Sequence, residues 1–191
     1  GMLPLPGRFL TSALLRREGE LFLFDCGEGT QVSLKMLNLK WKKISSIFIS
    51  HMHADHVTGL PGILMLSSQV ERDTPLNIYG PARLKEYVDA NRRILDMYIN
   101  YDINIIAVKP GVVMETDEYF VEAFALNHTK PCVGYSFVEK DRPGEFKPEV
   151  ASALGVPRGP AWGVLQKGGT YVLPDGREVS PSDVMGEKRH G

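Results

Sequence analysis

The chain has 191 residues, 43% of them apolar, and a formal net charge of −1. This length suits a single domain that buries its core without disulfide or metal cross-links. A net charge this close to zero excludes nucleic-acid binding driven by the field of the whole chain, so an RNA or DNA partner would require a local patch.

The first half of the chain predicts alternating strands and helices. Two strands, over 11–17 and 19–25, are joined by a turn at Glu18, Gly19 and Glu20. A loosely periodic helix over 28–39 is followed by a β-rich segment over 43–51 and, over 56–70, by a loop that turns into an apolar helix.

The pattern continues as far as residue 140. A strand is predicted over 75–80, and the clearest amphipathic helix follows over 82–99. On that helix, the residues expected in the core are Leu84, Val88, Ile94 and Leu95. Further strands end at Pro110 and at His128 and cover 132–140. Alternating strands and helices predict an α/β layered domain.

The composition changes after about Glu139. The segment 139–191 is rich in glycine, proline and charge, with one predicted helix over 148–154 and one hairpin that turns at Asp175 and Gly176. We therefore predict a core over 1–138 and an appendage over 139–191.

The cysteines, the beginning of the chain and the lengths of its apolar runs all bear on the cellular compartment. Cys26 and Cys132 belong to no CxxC pair and are expected to be reduced, half-buried thiols. The sequence shows no signal peptide and no run of about 18 apolar residues, so we expect a cytoplasmic protein that does not enter a membrane.

Three of the five histidines lie within six residues, directly after the strand "SIFIS". His51 and His53 share a face while the backbone stays extended, and Asp55 and His56 follow after the chain turns. Imidazole and carboxylate ligands together suit zinc or a similar divalent ion. The pattern predicts two metal sites, one built on a pair of imidazoles and one on a carboxylate with an imidazole.

Four segments together resemble ribonuclease Z, the tRNA 3′-processing endonuclease family of the metallo-β-lactamase superfamily. They are "FDCGEGTQ", "ISHMHADHVTGLPGILML", "NHTKPCVGYSF" and "GVPRGPAWGVLQKG", and the match runs from about Leu3 to Val184. The resemblance implies an αββα sandwich with a dinuclear metal site at one edge. It also implies that 139–191 is an exosite arm, a protruding element that holds the tRNA.

The resemblance also implies a role for each residue of the cluster. His51, His53 and His128 would bind the first zinc ion, and Asp55 and His56 the second. Asp55 would also accept the proton of the water that attacks phosphorus, and would thus be the catalytic residue.

The sequence leaves the role of Asp25 open, and it lacks some segments of the family pattern. Asp25 either orients a metal-binding histidine from behind or is an ordinary helix-capping or turn residue. Relative to the family pattern, the first strand, a bridging aspartate and two later histidines are absent, so we expect an incomplete sandwich that binds metal weakly and turns over poorly on its own. The remaining histidine, His190, is expected in a solvated tail.

The implied substrate is precursor tRNA, from which the 3′ trailer is removed, and the implied assembly is a homodimer. Contacts to tRNA would come from Arg158, Gly159, Pro160 and Lys167, although basic and acidic residues number eight each in the appendage. Two alternatives remain: another phosphodiesterase of this fold that acts on small diesters, and a non-catalytic module that binds metal or RNA.

Overall fold

The computed structural model of this chain describes residues 3, 5–70 and 72–188. The predicted hairpin forms β1 (Ala13–Arg17) and β2 (Glu20–Phe24), which pair antiparallel. Its turn holds Glu18 and Gly19 at positive φ, as a tight reversal requires. His190 lies outside the described residues.

The elements that follow match the predicted strands and helices to within about five residues, except that a 3₁₀ turn over 41–43 and a short helix over 54–57 were not predicted. They are α1 (Thr30–Met36), a 3₁₀ turn (Trp41–Lys43), β3 (Ile44–Phe48), α2 (Ala54–Val57), α3 (Leu60–Gln69), β4 (Leu76–Gly80), α4 (Arg83–Ile94) and β5 (Ile103–Ala107). The α/β prediction is therefore confirmed for this part of the chain.

Five strands form one sheet in the order β1-β2-β3-β4-β5. Strands β2 to β5 run parallel to one another, and β1 pairs antiparallel with β2. The carboxyl ends of four parallel strands therefore meet at one edge of the sheet. Asp25 follows β2, the histidine cluster follows β3, Pro81 follows β4 and Val108 follows β5. This edge brings together residues that are far apart in sequence.

An aromatic stack supports the sheet close to that edge. Phe24, Phe48 and Tyr79 pair in register across β2, β3 and β4. Their ring centroids lie 5.0 and 4.9 Å apart, which is the stacked arrangement. The stack thereby supports the three strands at or next to their last residues, immediately before the chain leaves the sheet.

Helix α4 corrects one expectation. Leu84 and Val88 are buried as predicted, but Ile94 is 70% exposed and Leu95 is 55% exposed. At 100° per residue, Ile94 lies about 120° around the helix from Val88, outside the buried stripe. The helix ends there, and Met97 occupies the core instead.

A three-stranded sheet has the order β6-β7-β8, with β6 (Gly111–Glu115), β7 (Tyr119–Leu126) and β8 (Cys132–Glu139). Strands β7 and β8 match the predicted ones, whereas β6 was not predicted. The connection between β7 and β8 carries His128.

The C-terminal segment contains the predicted helix as α5 (Pro148–Ala153) and the predicted hairpin as β9 (Tyr171–Val172) and β10 (Glu178–Val179). Two short helices were not predicted, α6 (Pro160–Gln166) and α7 (Pro181–Val184). Both begin with proline, which is favoured at the first helical position. A separate small core forms here from Ala151, Val156, Ala161, Leu165, Leu173, Val179 and Val184.

The chain divides into two compact units. One comprises the described parts of Gly1–Met114 together with Val121–Ser136, and the other comprises Glu115–Phe120 with the described part of Phe137–Gly191. The predicted domain boundary between 138 and 139 stays a prediction. Within the described residues, every helix is too short or too polar to cross a lipid bilayer.

Candidate metal centre

The histidine cluster begins where β3 ends. His53 has extended backbone, with φ −73° and ψ 145°, and α2 begins at the next residue. His51 and His53 therefore precede the turn, while Asp55 and His56 project from one turn of helix. This is the change from extended to turned backbone that the sequence predicted.

Three imidazoles converge on one point. The distance from His51 Nε2 to His53 Nδ1 is 2.9 Å, and that from His53 Nδ1 to His128 Nε2 is 3.2 Å. One nitrogen of each ring lies within 4.8 Å of the other two. Because His128 is 75 positions from His53 along the chain, this convergence depends on tertiary packing.

The donor set fits a divalent metal. His51 is only 4% exposed. Burial lowers its pKa, and the neighbouring His56, His53 and His128 lower it further. At neutral pH the ring is therefore uncharged and offers a lone pair. Three imidazole nitrogens that face one another cannot all be satisfied by hydrogens between them, whereas a shared cation satisfies all three.

Asp55 and His56 lie beside this trio as a separate pair. Asp55 Oδ2 is 3.6 Å from His56 Nε2. Across the part of the chain that the structure describes, no third histidine, cysteine or acidic side chain completes a second cluster around this pair. Among the described residues, the second predicted metal site therefore consists of the side chains of Asp55 and His56 alone.

Asp25 contacts His56 from behind. Its Oδ2 lies 2.6 Å from His56 Nδ1, and its Oδ1 accepts a hydrogen bond of 2.8 Å from the backbone N–H of Ser50. The N-cap of α1 is Gly29, so Asp25 does not cap that helix. Of the two roles that the sequence left open, the structure favours orientation of His56. With its Nδ1–H bonded to Asp25, this ring directs Nε2 to the side of Asp55.

Ser50 is a residue of the site that sequence reasoning missed. Its Oγ lies 2.9 Å from His51 Nδ1 and 2.9 Å from both carboxylate oxygens of Asp25. With His51 donating from Nδ1 and Ser50 donating to Asp25, the Nε2 lone pair of His51 points into the trio. In the sequence, only its position directly before His51 could have indicated a role for Ser50 in the site. Serine at the end of a strand is too common for that position to be informative.

Two glycines bring the Asp25 segment against the histidine loop. The backbone N–H of Cys26 donates to His56 O at 2.8 Å, and that of Gly59 donates to Cys26 O at 2.9 Å. A Cβ atom at Gly59 would overlap Gly27 O, and one at Gly27 would overlap Asp55 O. Only glycine permits this close approach of the two segments.

One open cavity of about 710 Å³ contains the whole arrangement. It is lined by all five predicted metal-binding residues together with Asp25, Ser50, Cys132 and Tyr135.

The hydroxyl and thiol groups near the cavity stay protonated. The Tyr135 hydroxyl donates a hydrogen bond to Ile49 O at 2.9 Å, and burial together with the nearby Asp25 charge raises the pKa of Tyr135. Burial also raises the pKa of the Cys132 thiol. Both cysteines are free thiols, Cys26 fully buried and Cys132 half-buried.

The predicted tRNA-contacting residues belong to the second compact unit and are all exposed. Gly159 has φ 126°, and Pro160 begins α6. The Arg158 guanidinium lies 5.8 Å from the centroid of the Trp162 ring, and Lys167 follows the last residue of α6.

Comparisons with known proteins agree with this geometry. A family model described as Anti-Pycsar protein Apyc1 matches residues 6–139. A protein of Treponema denticola named ribonuclease Z is 62% identical over 192 residues, which cover 100% of this chain and 62% of that protein. This chain thus spans about 62% of the length of that relative.

Two solved structures are similar in fold. The crystal structure of human tRNase Z, short form, has a TM-score of 0.64 at 32% identity, covering 69% of this chain and 57% of that one. The metallo-beta-lactamase fold protein YhfI from Bacillus subtilis has a TM-score of 0.55 at 19% identity, covering 80% and 62%, and shows the fold alone. The predicted metallo-β-lactamase fold and the resemblance to ribonuclease Z are confirmed.

Proposed function

The chain belongs to the family described as Anti-Pycsar protein Apyc1, with a metallo-β-lactamase fold, and on this premise we propose that it acts as a ribonuclease Z-type endoribonuclease. It would hydrolyse a phosphodiester at the 3′ end of precursor tRNA and release the trailer. The observation that carries the proposal is the convergence of His51, His53 and His128 within 4.8 Å. The RNA substrate is supported by the relative named ribonuclease Z, whose match covers all of this chain, including the arm.

Zinc is the proposed metal, with two ions per complete site. His51, His53 and His128 would hold one ion, and Asp55 with His56 would contribute to the other. Bound there, zinc supplies Lewis acidity toward a phosphoryl oxygen and lowers the pKa of the attacking water. Imidazole and carboxylate ligands are those that zinc prefers, which supports this choice.

The polar residues around the histidine trio have separate parts in the proposed reaction. The Asp55 carboxylate accepts the proton of the attacking water. Asp25 and Ser50 keep His56 and His51 in the orientation described above, so that the cluster does not rearrange during turnover. The new phosphorus–oxygen bond comes from water, and the bond from phosphorus to the 3′ oxygen of the tRNA breaks. The tRNA keeps a 3′-hydroxyl, and the trailer leaves with a 5′-phosphate.

The arm is proposed to hold the tRNA at a distance from the reaction. Arg158 and Lys167 would contact phosphates, and Gly159 with Pro160 would present backbone at the beginning of α6. Folded RNA is recognised chiefly through phosphates and shape, which suits exposed cations on a small rigid unit. We further propose that the protein works in the cytoplasm as a homodimer.

A second candidate has one observation in its favour. The family match ends at residue 139 and so omits the arm. A phosphodiesterase that acts on small diesters would need the histidine cavity but not the arm. A non-catalytic module that binds metal or RNA is the third possibility.

One assay separates the three. The zinc-loaded chain is incubated with precursor tRNA and with bis(p-nitrophenyl) phosphate, and a chelator-treated sample serves as control. Cleavage of both substrates supports the endoribonuclease. Cleavage of the small diester alone would support the second candidate. Cleavage of neither substrate would support the non-catalytic module that binds metal or RNA.

A further inference from the structure

We infer that the single-stranded 3′ trailer lies in a groove along the carboxyl edge of the five-stranded sheet, where Lys109 and Lys130 contact its phosphates. The inference rests on the proposed function, since it names where one part of that substrate binds. The groove belongs entirely to the first compact unit.

Three cavities adjoin one another along this edge. The histidine cavity shares Ser50, Leu126, Cys132 and Val133 with a second cavity of about 370 Å³. The second cavity shares Pro81, Ala82 and Pro131 with a third of about 700 Å³. The three cavities are therefore neighbours along one edge of the sheet, and a chain-like ligand that leaves the reaction centre along this edge would meet the second cavity and then the third.

The topology explains why the groove is there. Pro81 and Ala82 follow β4, Val108 and Lys109 follow β5, and Met52 follows β3. In open sheets with parallel strands, ligands bind outside the carboxyl ends of the strands. The same edge that gathers the histidines thus gathers the groove.

The walls suit nucleotides. Pro81, Pro131 and Met52 present apolar surface, and the Tyr87 ring lines the third cavity. Flat apolar and aromatic surfaces take up bases of any sequence by stacking, which is how unpaired strands are bound without base readout. A cavity of about 700 Å³ falls within the range that accommodates a small organic ligand.

The charges are of the right sign for phosphates. Lys109 borders the second cavity and Lys130 the third, and both side chains are exposed. Within the described ranges, neither lysine has a carboxylate at ion-pair distance. Arg83 and Glu86 also line the third cavity, with 3.7 Å between Arg83 Nε and Glu86 Oε2, so their charges offset each other and the two lysines carry the net positive charge of the second and third cavities.

The trailer is the part of the substrate that fits. The acceptor stem of the substrate is a duplex whose bases stack on one another, so its base faces are not available to the apolar walls of these cavities. The trailer is unpaired, and its first phosphate is the one that is attacked. It would therefore begin at the histidines and continue past Ser50 and Cys132 toward Pro131.

The test measures binding of a defined RNA and not only turnover. Fluorescence anisotropy compares a labelled 5′-phosphorylated hexauridylate with 5′-uridylate as unlabelled competitor, at several salt concentrations. The variant is Lys109→Ala/Lys130→Ala, and the matched control is Lys40→Ala/Lys43→Ala, which removes two exposed lysines that line none of the three cavities.

We expect the groove variant to bind hexauridylate roughly tenfold more weakly, with the slope of log affinity against log salt reduced by about 1.4, as for two lost phosphate contacts on a single strand. Affinity for 5′-uridylate should stay unchanged, because that ligand reaches only the histidine cavity. Equal hexauridylate binding by wild type and variant, or an equal loss in the control, would overturn the inference.

A cleavage assay distinguishes failure of the proposed function from failure of this inference. Precursor tRNAs with trailers of one and six nucleotides are cleaved by wild type and variant under the same conditions. The inference predicts that the variant raises KM only for the longer trailer. If no sample cleaves either RNA while the difference in hexauridylate binding persists, the proposed function fails and the groove retains its affinity for single-stranded RNA.

Discussion

The two compact units of this chain differ in how their proposed functional residues are held. In the first unit, the histidine trio comes from positions as far apart as 51 and 128 and includes the buried His51. In the second, Arg158, Gly159 and Pro160 are consecutive and exposed beside a small core of their own. Chemistry here depends on long-range packing, whereas the proposed RNA contact depends on a local surface.

This difference determines how large an effect we expect from a substitution in each unit. A change in the trio would remove one of the three proposed donors to a shared cation, and its neighbours cannot replace it. A change at the arm surface would remove one of several proposed weak contacts with RNA. The predictions that follow test this contrast, beginning with the largest effect.

His128→Ala should abolish tight metal binding, because the trio loses the donor that comes from the connection between β7 and β8. We expect zinc affinity to fall by more than about 100-fold, since removal of a supporting residue alone costs 10- to 100-fold. Equilibrium dialysis with elemental analysis measures the effect.

His190→Ala is the matched control for that experiment, because it removes the one histidine that sequence analysis places outside the cluster. Its zinc content should equal that of wild type. Unchanged zinc affinity in His128→Ala would show that His128 is not a ligand.

Leu165→Ala should destabilise the second unit without affecting the metal. Leu165 is fully buried in the small core, and a leucine-to-alanine change at such a site costs about 2–5 kcal/mol of the free energy of unfolding. Hydrogen exchange followed by mass spectrometry should show faster exchange in 148–188 only. Val164→Ala, at a neighbouring residue that is 42% exposed, should change little. Loss of zinc in Leu165→Ala would contradict the independence of the two units.

Asp25→Asn should weaken metal binding without removing a ligand. The substitution takes the charged acceptor away from His56 Nδ1, which Asp25 contacts at 2.6 Å. A loss of 10- to 100-fold in zinc affinity is expected. Asp102→Asn changes an exposed carboxylate in the same unit and should have no effect. A wild-type affinity in Asp25→Asn would restrict Asp25 to a structural role in the turn.

Arg158→Ala should have the smallest effect on stability and a measurable one on RNA. The contact of Arg158 with Trp162 is exposed and contributes no more than about 1 kcal/mol. Affinity for precursor tRNA should fall, with the salt slope reduced by about 1. Arg177→Ala, whose guanidinium is bonded to Asp175 at 2.8 Å, is the control within the same unit. An unchanged salt slope in Arg158→Ala would argue against a phosphate contact at this position.

The sequence predicted those parts of the structure that depend on local pattern. The strand that leads into His51, the turn before Asp55 and the hairpin at Asp175 all follow from periodicity and turn chemistry, and the structure confirms them. The proximity of His128 to the cluster came only from the family resemblance, because no local signal relates residues that far apart.

The missed features depend on tertiary packing. Ser50 acts through contacts with His51 and Asp25 that no sequence window contains. Leu95 continues the apolar spacing of Leu84 and Val88 but is exposed because α4 ends before it, and Ile94 lies outside that stripe. The groove beyond the histidines was also missed, since it combines residues that follow three different strands.

X-ray absorption spectroscopy of the chain loaded with one equivalent of zinc tests the central claim most directly. We predict a first shell with three imidazoles at about 2.0 Å, reduced to two in His128→Ala. A shell of oxygen atoms alone, or an imidazole count that His128→Ala leaves unchanged, would contradict the assignment of His51, His53 and His128 as one metal site.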